Sequence, residues 1–303
     1  MPDLALPRRL ALGLLGAAGF HEQAAAQNGA PVTLPGLRQF ELASRSGGRP
    51  PWRIFLRRPD GPAPSSGWPV LYLLDANAVI GIAADALRVQ AAFPGETGLR
   101  DAVLVGIGYP TEAPYDDSRR PFDLTPPPEK GRTGGAERFL RFIEEELKPF
   151  VASQLPVDAS RQGLFGHSLG GLCVVYALLT RPRAFTHWVA MSPSLQFDAE
   201  LIAQAQQRFA ALPPAERGQP RLLLGAGEYE ERLAPFQANA GDAAMRRESL
   251  GRTRIPSRAR EMADRLRDLG VAARFEQIQG ETHFSVLPSA VGRALRFALG
   301  PDQ

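Results

Sequence analysis

The run Pro69-Val70-Leu71-Tyr72-Leu73-Leu74 offers apolar side chains to both faces of an extended chain. A strand of that kind belongs in the interior of a parallel sheet covered on both sides, not in a half-solvated hairpin. Residues 102–107, 162–165, 187–191, 221–225 and 272–277 repeat the pattern as short strands bounded by breakers. Helical patterns at 83–92, 136–154, 169–180, 199–211, 257–269 and 288–299 fall between or after them. Two leading strands, at 38–44 and 52–58, are joined by a Gly/Pro-rich turn. Strand-helix alternation with doubly buried strands predicts an α/β fold, a predominantly parallel central sheet with helices on both faces. No internal repeat or linker divides residues 27–303, so a single domain is expected.

The exception to the short connections is residues 108–135, where Pro110, Pro114, Pro121, Pro126, Pro127 and Pro128 stud a long irregular segment. A loop of that length inside a compact domain is more often functional than a spacer. At the N-terminus, Arg8 and Arg9 precede the apolar stretch 10–20, and Ala24-Ala25-Ala26 fits a small-residue cleavage site. Residues 1–26 thus read as an export signal, with Arg8-Arg9 leaving the general and twin-arginine routes both open. The apolar stretch is shorter than the roughly 20 residues of a membrane-spanning helix. A periplasmic protein with no stable membrane insertion after processing is the expectation.

Formal net charge is +3 across 303 residues, too small for the basic footprint of a nucleic-acid binder. Cys173 is the lone cysteine, so no disulfide forms within the chain. With one cysteine and few histidines, no metal cluster is expected and the chemistry should need no cofactor.

The chemistry is carried by Gly166-His167-Ser168-Leu169-Gly170, followed by Gly171. It lies between an apolar strand and an apolar helix, the setting of a nucleophile elbow. There a serine occupies a strained strand-to-helix turn, flanking glycines avoid clashes, and the helix aims its first amides and dipole at the reacting carbonyl. A serine hydroxyl is a weak nucleophile without a base. Among the four histidines, His21 lies in the expected signal, His167 adjoins the serine and is expected to point away from the catalytic side, and His187 starts a strand. That leaves His283, in the loop after the last strand, the chain order of an α/β-hydrolase. A carboxylate between serine and histidine should orient the imidazole. The strand at 221–225 runs into Glu228-Tyr229-Glu230-Glu231, and Glu230 is favoured over Glu228. The oxyanion donors are expected to be the backbone amides of Leu169 and, from the loop after 69–74, of Asn77.

These residues resemble the esterase D/enterochelin esterase family of α/β-hydrolases. The resemblance rests on Trp52-Arg53-Ile54-Phe55-Leu56, Leu71-Tyr72-Leu73-Leu74-Asp75, Arg120-Pro121-Phe122-Asp123-Leu124-Thr125-Pro126, the elbow, Met191-Ser192-Pro193-Ser194, Gly227-Glu228-Tyr229-Glu230 and His283. Residues 71–77 and the surroundings of His283 look most like the periplasmic branch that opens the trilactone of enterobactin or salmochelin. The resemblance implies Ser168 and His283 as catalytic serine and base. It leaves the acid open, because some members of that branch work with a dyad, and Gln196 departs from the family's usual aromatic.

The implied substrate is a small-molecule ester, a ferric or apo catecholate siderophore. Arg119 and Arg120, just ahead of Asp123-Leu124-Thr125-Pro126, are the cations expected to border its cleft. A general carboxylesterase or acyltransferase would use the same machinery. A catalytically silent binder would have no need of an intact serine, histidine and elbow.

Overall fold

Strands that are apolar on both faces need cover on both faces, and the computed structural model supplies it. The structure describes residues 32–45, 47, 50–127 and 134–301. The expected export signal, residues 1–26, lies outside the described residues. Leu34–Gln303 form one compact unit. Its eight strands are β1 (Leu37–Leu42), β2 (Trp52–Arg57), β3 (Trp68–Leu74), β4 (Val103–Gly108), β5 (Val157–His167), β6 (His187–Met191), β7 (Arg221–Gly227) and β8 (Ala272–Ile278). They make a single sheet in the order β1-β2-β4-β3-β5-β6-β7-β8. The β1–β2 and β2–β4 pairs are antiparallel, and every pair from β4 to β8 is parallel.

Alternation along β3 sorts the core. Val70, Tyr72 and Leu74 join one buried cluster with Trp188, Cys173 and residues of the helices Leu169–Thr180, Ala199–Ala211 and Ile255–Asp268. Leu71 and Leu73 join the other, under the helices Ala76–Ala91 and Leu287–Leu299. Five adjacent residues thus feed two cores, as the two-residue period of a strand dictates. The segment 136–154 is helical throughout, with a π-helical turn at Ile143–Leu147 between Ala136–Phe142 and Lys148–Gln154. Trp52 of β2 stacks on Phe142 of that segment at 4.1 Å between ring centroids.

The carboxyl ends of the parallel strands open onto one edge, where ligands bind in open α/β sheets. Three turns gather there. Asp75 follows β3, Ser168 follows β5 and Ser192 follows β6, and each has a positive φ, of 52°, 59° and 46° respectively. Non-glycine residues hold that conformation at a cost of about 1–3 kcal/mol each, and such strain clusters at functional sites.

Candidate active site

Ser168 sits between β5 and the helix Leu169–Thr180 at φ 59° and ψ −116°. The turn is tight enough to dictate its neighbours. A Cβ on Gly166 would lie 2.2 Å from the Gly170 carbonyl oxygen, and one on Gly171 would lie 2.9 Å from that of Met191. Gly170 is less constrained, its nearest obstacle being a carboxylate oxygen of Asp75 at 3.2 Å. The glycine requirement therefore falls on positions 166 and 171 more than on 170. The first amides of the following helix have no helical acceptor, and Leu169 provides the first of them.

His283 occupies the loop between β8 and the helix Leu287–Leu299. Its Nε2 lies 3.0 Å from Ser168 Oγ and its Nδ1 lies 2.7 Å from Glu230 Oε2. The carboxylate can only accept, so Nδ1 carries the proton and Nε2 presents its lone pair to the serine hydroxyl. Glu230 is 1% exposed. Its other oxygen accepts from Ser192 Oγ and from the Gly227 amide, both at 2.6 Å. Glu228 points elsewhere, pairing with Arg232 and accepting from the Gly280 amide at 2.8 Å. Geometry therefore joins Ser168, His283 and Glu230, and separates Glu228 from the histidine.

The expected donor at Asn77 is its backbone amide, and its side chain is spent on β4 and the loop after it. Its Oδ1 accepts from the Tyr109 amide at 2.9 Å, and its Nδ2 donates to the Tyr109 and Thr111 carbonyls at 3.0 and 2.8 Å. It holds the turn after β3 to the next loop.

Two expectations change. Arg119 is not a cleft cation. Its guanidinium donates to the Pro50 and Pro51 carbonyls at 2.9 and 2.7 Å, and packs over the Tyr109 ring at 5.0 Å. Arg120 is turned inward too, donating from Nε to Asp75 Oδ1 at 2.8 Å while stacking on Tyr115 at 5.0 Å. An arginine prefers a planar ring and a carboxylate to an open surface where the fold offers both. Burial pushes the Asp75 carboxyl above its ordinary range, and the Arg120 guanidinium opposes that shift.

His167 is the second. It does not point away from the catalytic side, for its Nε2 lies 2.7 Å from the His283 carbonyl oxygen and its ring centroid 4.7 Å from that of His283. His187 keeps the structural role expected of it, against Thr186 and edge-on to Phe297. Ser192 escaped the sequence reading although Met191-Ser192-Pro193-Ser194 stood out, since nothing in the sequence shows that its hydroxyl reaches Glu230. Ser194 Oγ also lies 3.3 Å from Ser168 Oγ.

A cleft of about 220 Å³ opens beside His283, lined among others by Tyr229, Gln237, Arg246, Leu250 and Phe284. Phe284 is 64% exposed there. Its ring stands edge-on to that of His283, 5.1 Å between centroids.

The family model described as putative esterase matches residues 48–284, which hold the elbow, Glu230 and His283. The chain belongs to that esterase family. The esterase is 41% identical over 285 residues to the ferri-bacillibactin esterase BesA of Bacillus subtilis, covering 89% of this chain and 92% of BesA. It is 32% identical over 277 residues to the siderophore triacetylfusarinine C esterase of Aspergillus fumigatus, covering 88% and 94%. Among solved structures, the siderophore hydrolase EstB of Aspergillus nidulans superposes with a TM-score of 0.79 at 28% identity, covering 89% of this chain and 97% of EstB. The α/β-hydrolase architecture and the esterase activity read from the sequence both stand.

Proposed function

We propose that this esterase hydrolyses the ester backbone of siderophores through Ser168, acting outside the cytoplasm after removal of residues 1–26. The observation that carries the mechanism is the continuous relay from Ser168 Oγ through His283 to Glu230, at 3.0 and 2.7 Å. His283 Nε2 takes the hydroxyl proton as Ser168 Oγ attacks the ester carbonyl. Glu230 stabilises the imidazolium that forms and stays ionised itself. The oxyanion meets the Leu169 amide and the Asn77 amide, in the first turn of the helix after the left-handed Asp75. Preorganised donors of this type act where charge develops and are each worth about 3–4 kcal/mol of barrier. His283 then returns the proton to the departing alkoxide, the acyl group remains on Ser168, and water releases it by the same relay.

The substrate class rests on the relatives, whose names include siderophore esterases of bacteria and fungi. The cleft beside His283 fits it in size and chemistry. Its 220 Å³ exceeds the roughly 150 Å³ that takes up a benzene molecule but falls short of a pocket for a whole drug-sized ligand, about 300 Å³ and upward. One arm of a three-armed ester seats there, against Phe284 and Tyr229, while the rest stays in the open. The deciding experiment compares kcat/KM for apo and ferric tricatecholate trilactones with p-nitrophenyl acetate, with Ser168→Ala as control. The reading expects trilactone to be preferred and both activities to vanish in the variant. Turnover of the aryl acetate alone would make this a general carboxylesterase, and an active Ser168→Ala would remove the nucleophile. N-terminal sequencing of protein from the native cell envelope tests export, and an intact Met1 would exclude it.

A further inference from the structure

The loop carrying His283 is tied firmly on one side. The Tyr229 amide donates to the Glu281 carbonyl at 2.8 Å, and the Gly280 amide donates to Glu228 at 2.8 Å. Both ties reach the loop upstream of His283, and both come from the turn after β7. With the contact of Glu230 to His283 Nδ1, they hold the loop from the β7 side. The tie from the serine's side runs from His167, the residue immediately before the nucleophile.

We propose that His167 is a positioning residue for the general base, gripping the His283 backbone carbonyl so that Nε2 of His283 stays within reach of Ser168 Oγ. This inference rests on the serine-histidine reading above. A carbonyl oxygen only accepts, so His167 Nε2 carries the proton in this 2.7 Å contact. Its Nδ1 is then a bare lone pair, buried and without a hydrogen-bond partner among the described residues. The ring, 3% exposed, packs at 4.7 Å from the His283 ring and 6.2 Å from that of Phe284, and so also blocks sideways drift.

The chemistry of position 167 is narrow. It needs an N–H donor at imidazole reach and no positive charge, because the neighbouring His283 must itself become a cation during turnover. Lysine or arginine would supply the donor and repel the imidazolium. Burial, reinforced by His283, brings the His167 pKa down to about 3, so the ring is neutral wherever the relay works. Because the residue adjoins Ser168 in the chain, the grip ties base to nucleophile through two peptide units. That is the part of the site where a shift of 1 Å costs about a hundredfold.

Three variants test this on p-nitrophenyl acetate, each scored at equal folded fraction from a circular-dichroism melt. His167→Gln keeps an N–H donor at similar reach. His167→Asn keeps the donor but falls short by one methylene. His167→Leu removes it. The grip predicts that kcat falls about tenfold to a hundredfold in His167→Leu and His167→Asn while KM stays within about threefold, and that His167→Gln recovers most of the loss. The low-field Nδ1–H proton resonance of His283 should weaken in the first two and persist in the third. Equal losses in His167→Gln and His167→Asn, or a His167→Leu enzyme within twofold of wild type, would overturn the proposal. Should His167→Leu fail to fold, the Gln and Asn pair alone decides. Ser168→Ala run alongside separates the two failures, since an inactive Ser168→Ala with a fully active His167→Asn would spare the serine reading and sink only this one.

Discussion

The Glu230 carboxylate meets His283 Nδ1 at 2.7 Å while its second oxygen is fixed by Ser192 Oγ and the Gly227 amide. One oxygen is thus held by the fold and the other is aimed at the base. Wrong orientation of the imidazole costs up to about 10⁴ in kcat in serine proteases. Glu230→Ala should therefore lower kcat by about two to four orders of magnitude. Glu228→Ala only frees Gly280 and Arg232, and should cost less than about tenfold. Steady-state rates on p-nitrophenyl acetate check this, and a larger loss from Glu228→Ala would reverse the assignment.

Ser192→Ala removes one of the two bonds that fix Glu230 and leaves a buried carboxylate oxygen with the Gly227 amide alone. A lost hydrogen bond to a charged group is worth about 1.5–3 kcal/mol. Ser192→Ala should lose stability of that order in urea melts and a smaller factor in kcat than Glu230→Ala. A variant as stable as wild type would show that the hydroxyl contributes nothing to holding the acid.

The elbow glycines make a second stability prediction. A Cβ on Gly166 would overlap backbone atoms of Gly170, whereas a Cβ on Gly170 meets a side-chain oxygen of Asp75. Backbone cannot step aside without moving Ser168. Gly166→Ala should destabilise by several kcal/mol or fail to accumulate as folded protein, and Gly170→Ala should fold with a loss of about 1–3 kcal/mol, the range for overpacking. Thermal melts of the two variants give the order, and equal melting temperatures would refute it.

The doubly buried strands, their helices, the elbow and the histidine after the last strand were legible because each leaves a local mark on the sequence. The helix Ala76–Ala91 begins seven residues ahead of the expected 83 because Asp75, in a left-handed turn with no side-chain cap, launches it directly from β3. The helix Ala243–Thr253 left no mark, since none of its residues is buried and no apolar face repeats along it. Arg119 and Arg120 depart from expectation for a related reason. A polar residue in a loop reads the same whether it faces a ligand, a carboxylate 45 residues away or a carbonyl 68 residues away. His167 was judged by its adjacency to Ser168, and sequence adjacency does not show which loop a side chain reaches.

The His167 pKa has a consequence for acid stability. Burial, then the nearby His283 and Arg120, oppose charging of His167, so its folded value is about 3 against 6.5 when unfolded. Between those values the unfolded chain holds a proton that the folded chain does not. Stability therefore falls as pH falls through that window, by an amount on the order of 2 kcal/mol at pH 5. Above pH 6.5 both states are neutral at this site and the effect disappears. His167→Gln has nothing to titrate, so urea melts at pH 7 and pH 5 should show a smaller drop for the variant. Parallel drops would mean that His167 titrates normally in the folded protein.

Arg120 and Asp75 give the last prediction, which replaces the expectation of a substrate-binding arginine. The pair is buried, with side chains 12% and 4% exposed, and links the turn after β3 to the short helix Arg120–Asp123. A buried ion pair contributes little net stability, because desolvation offsets attraction, but removing one partner strands the other and costs about 3–5 kcal/mol. Arg120→Leu should lose about that much. It should also lower kcat/KM for a tricatecholate trilactone and for p-nitrophenyl acetate by similar factors, because the turn it supports carries the second oxyanion amide. Asp75→Asn introduced into Arg120→Leu removes the stranded charge and should recover at least half of the lost stability. Arg119→Leu leaves the Pro50 and Pro51 carbonyls short of a donor, and should affect stability more than rate. A loss confined to the trilactone in Arg120→Leu, with wild-type melting behaviour, would instead make the guanidinium a direct contact of the substrate.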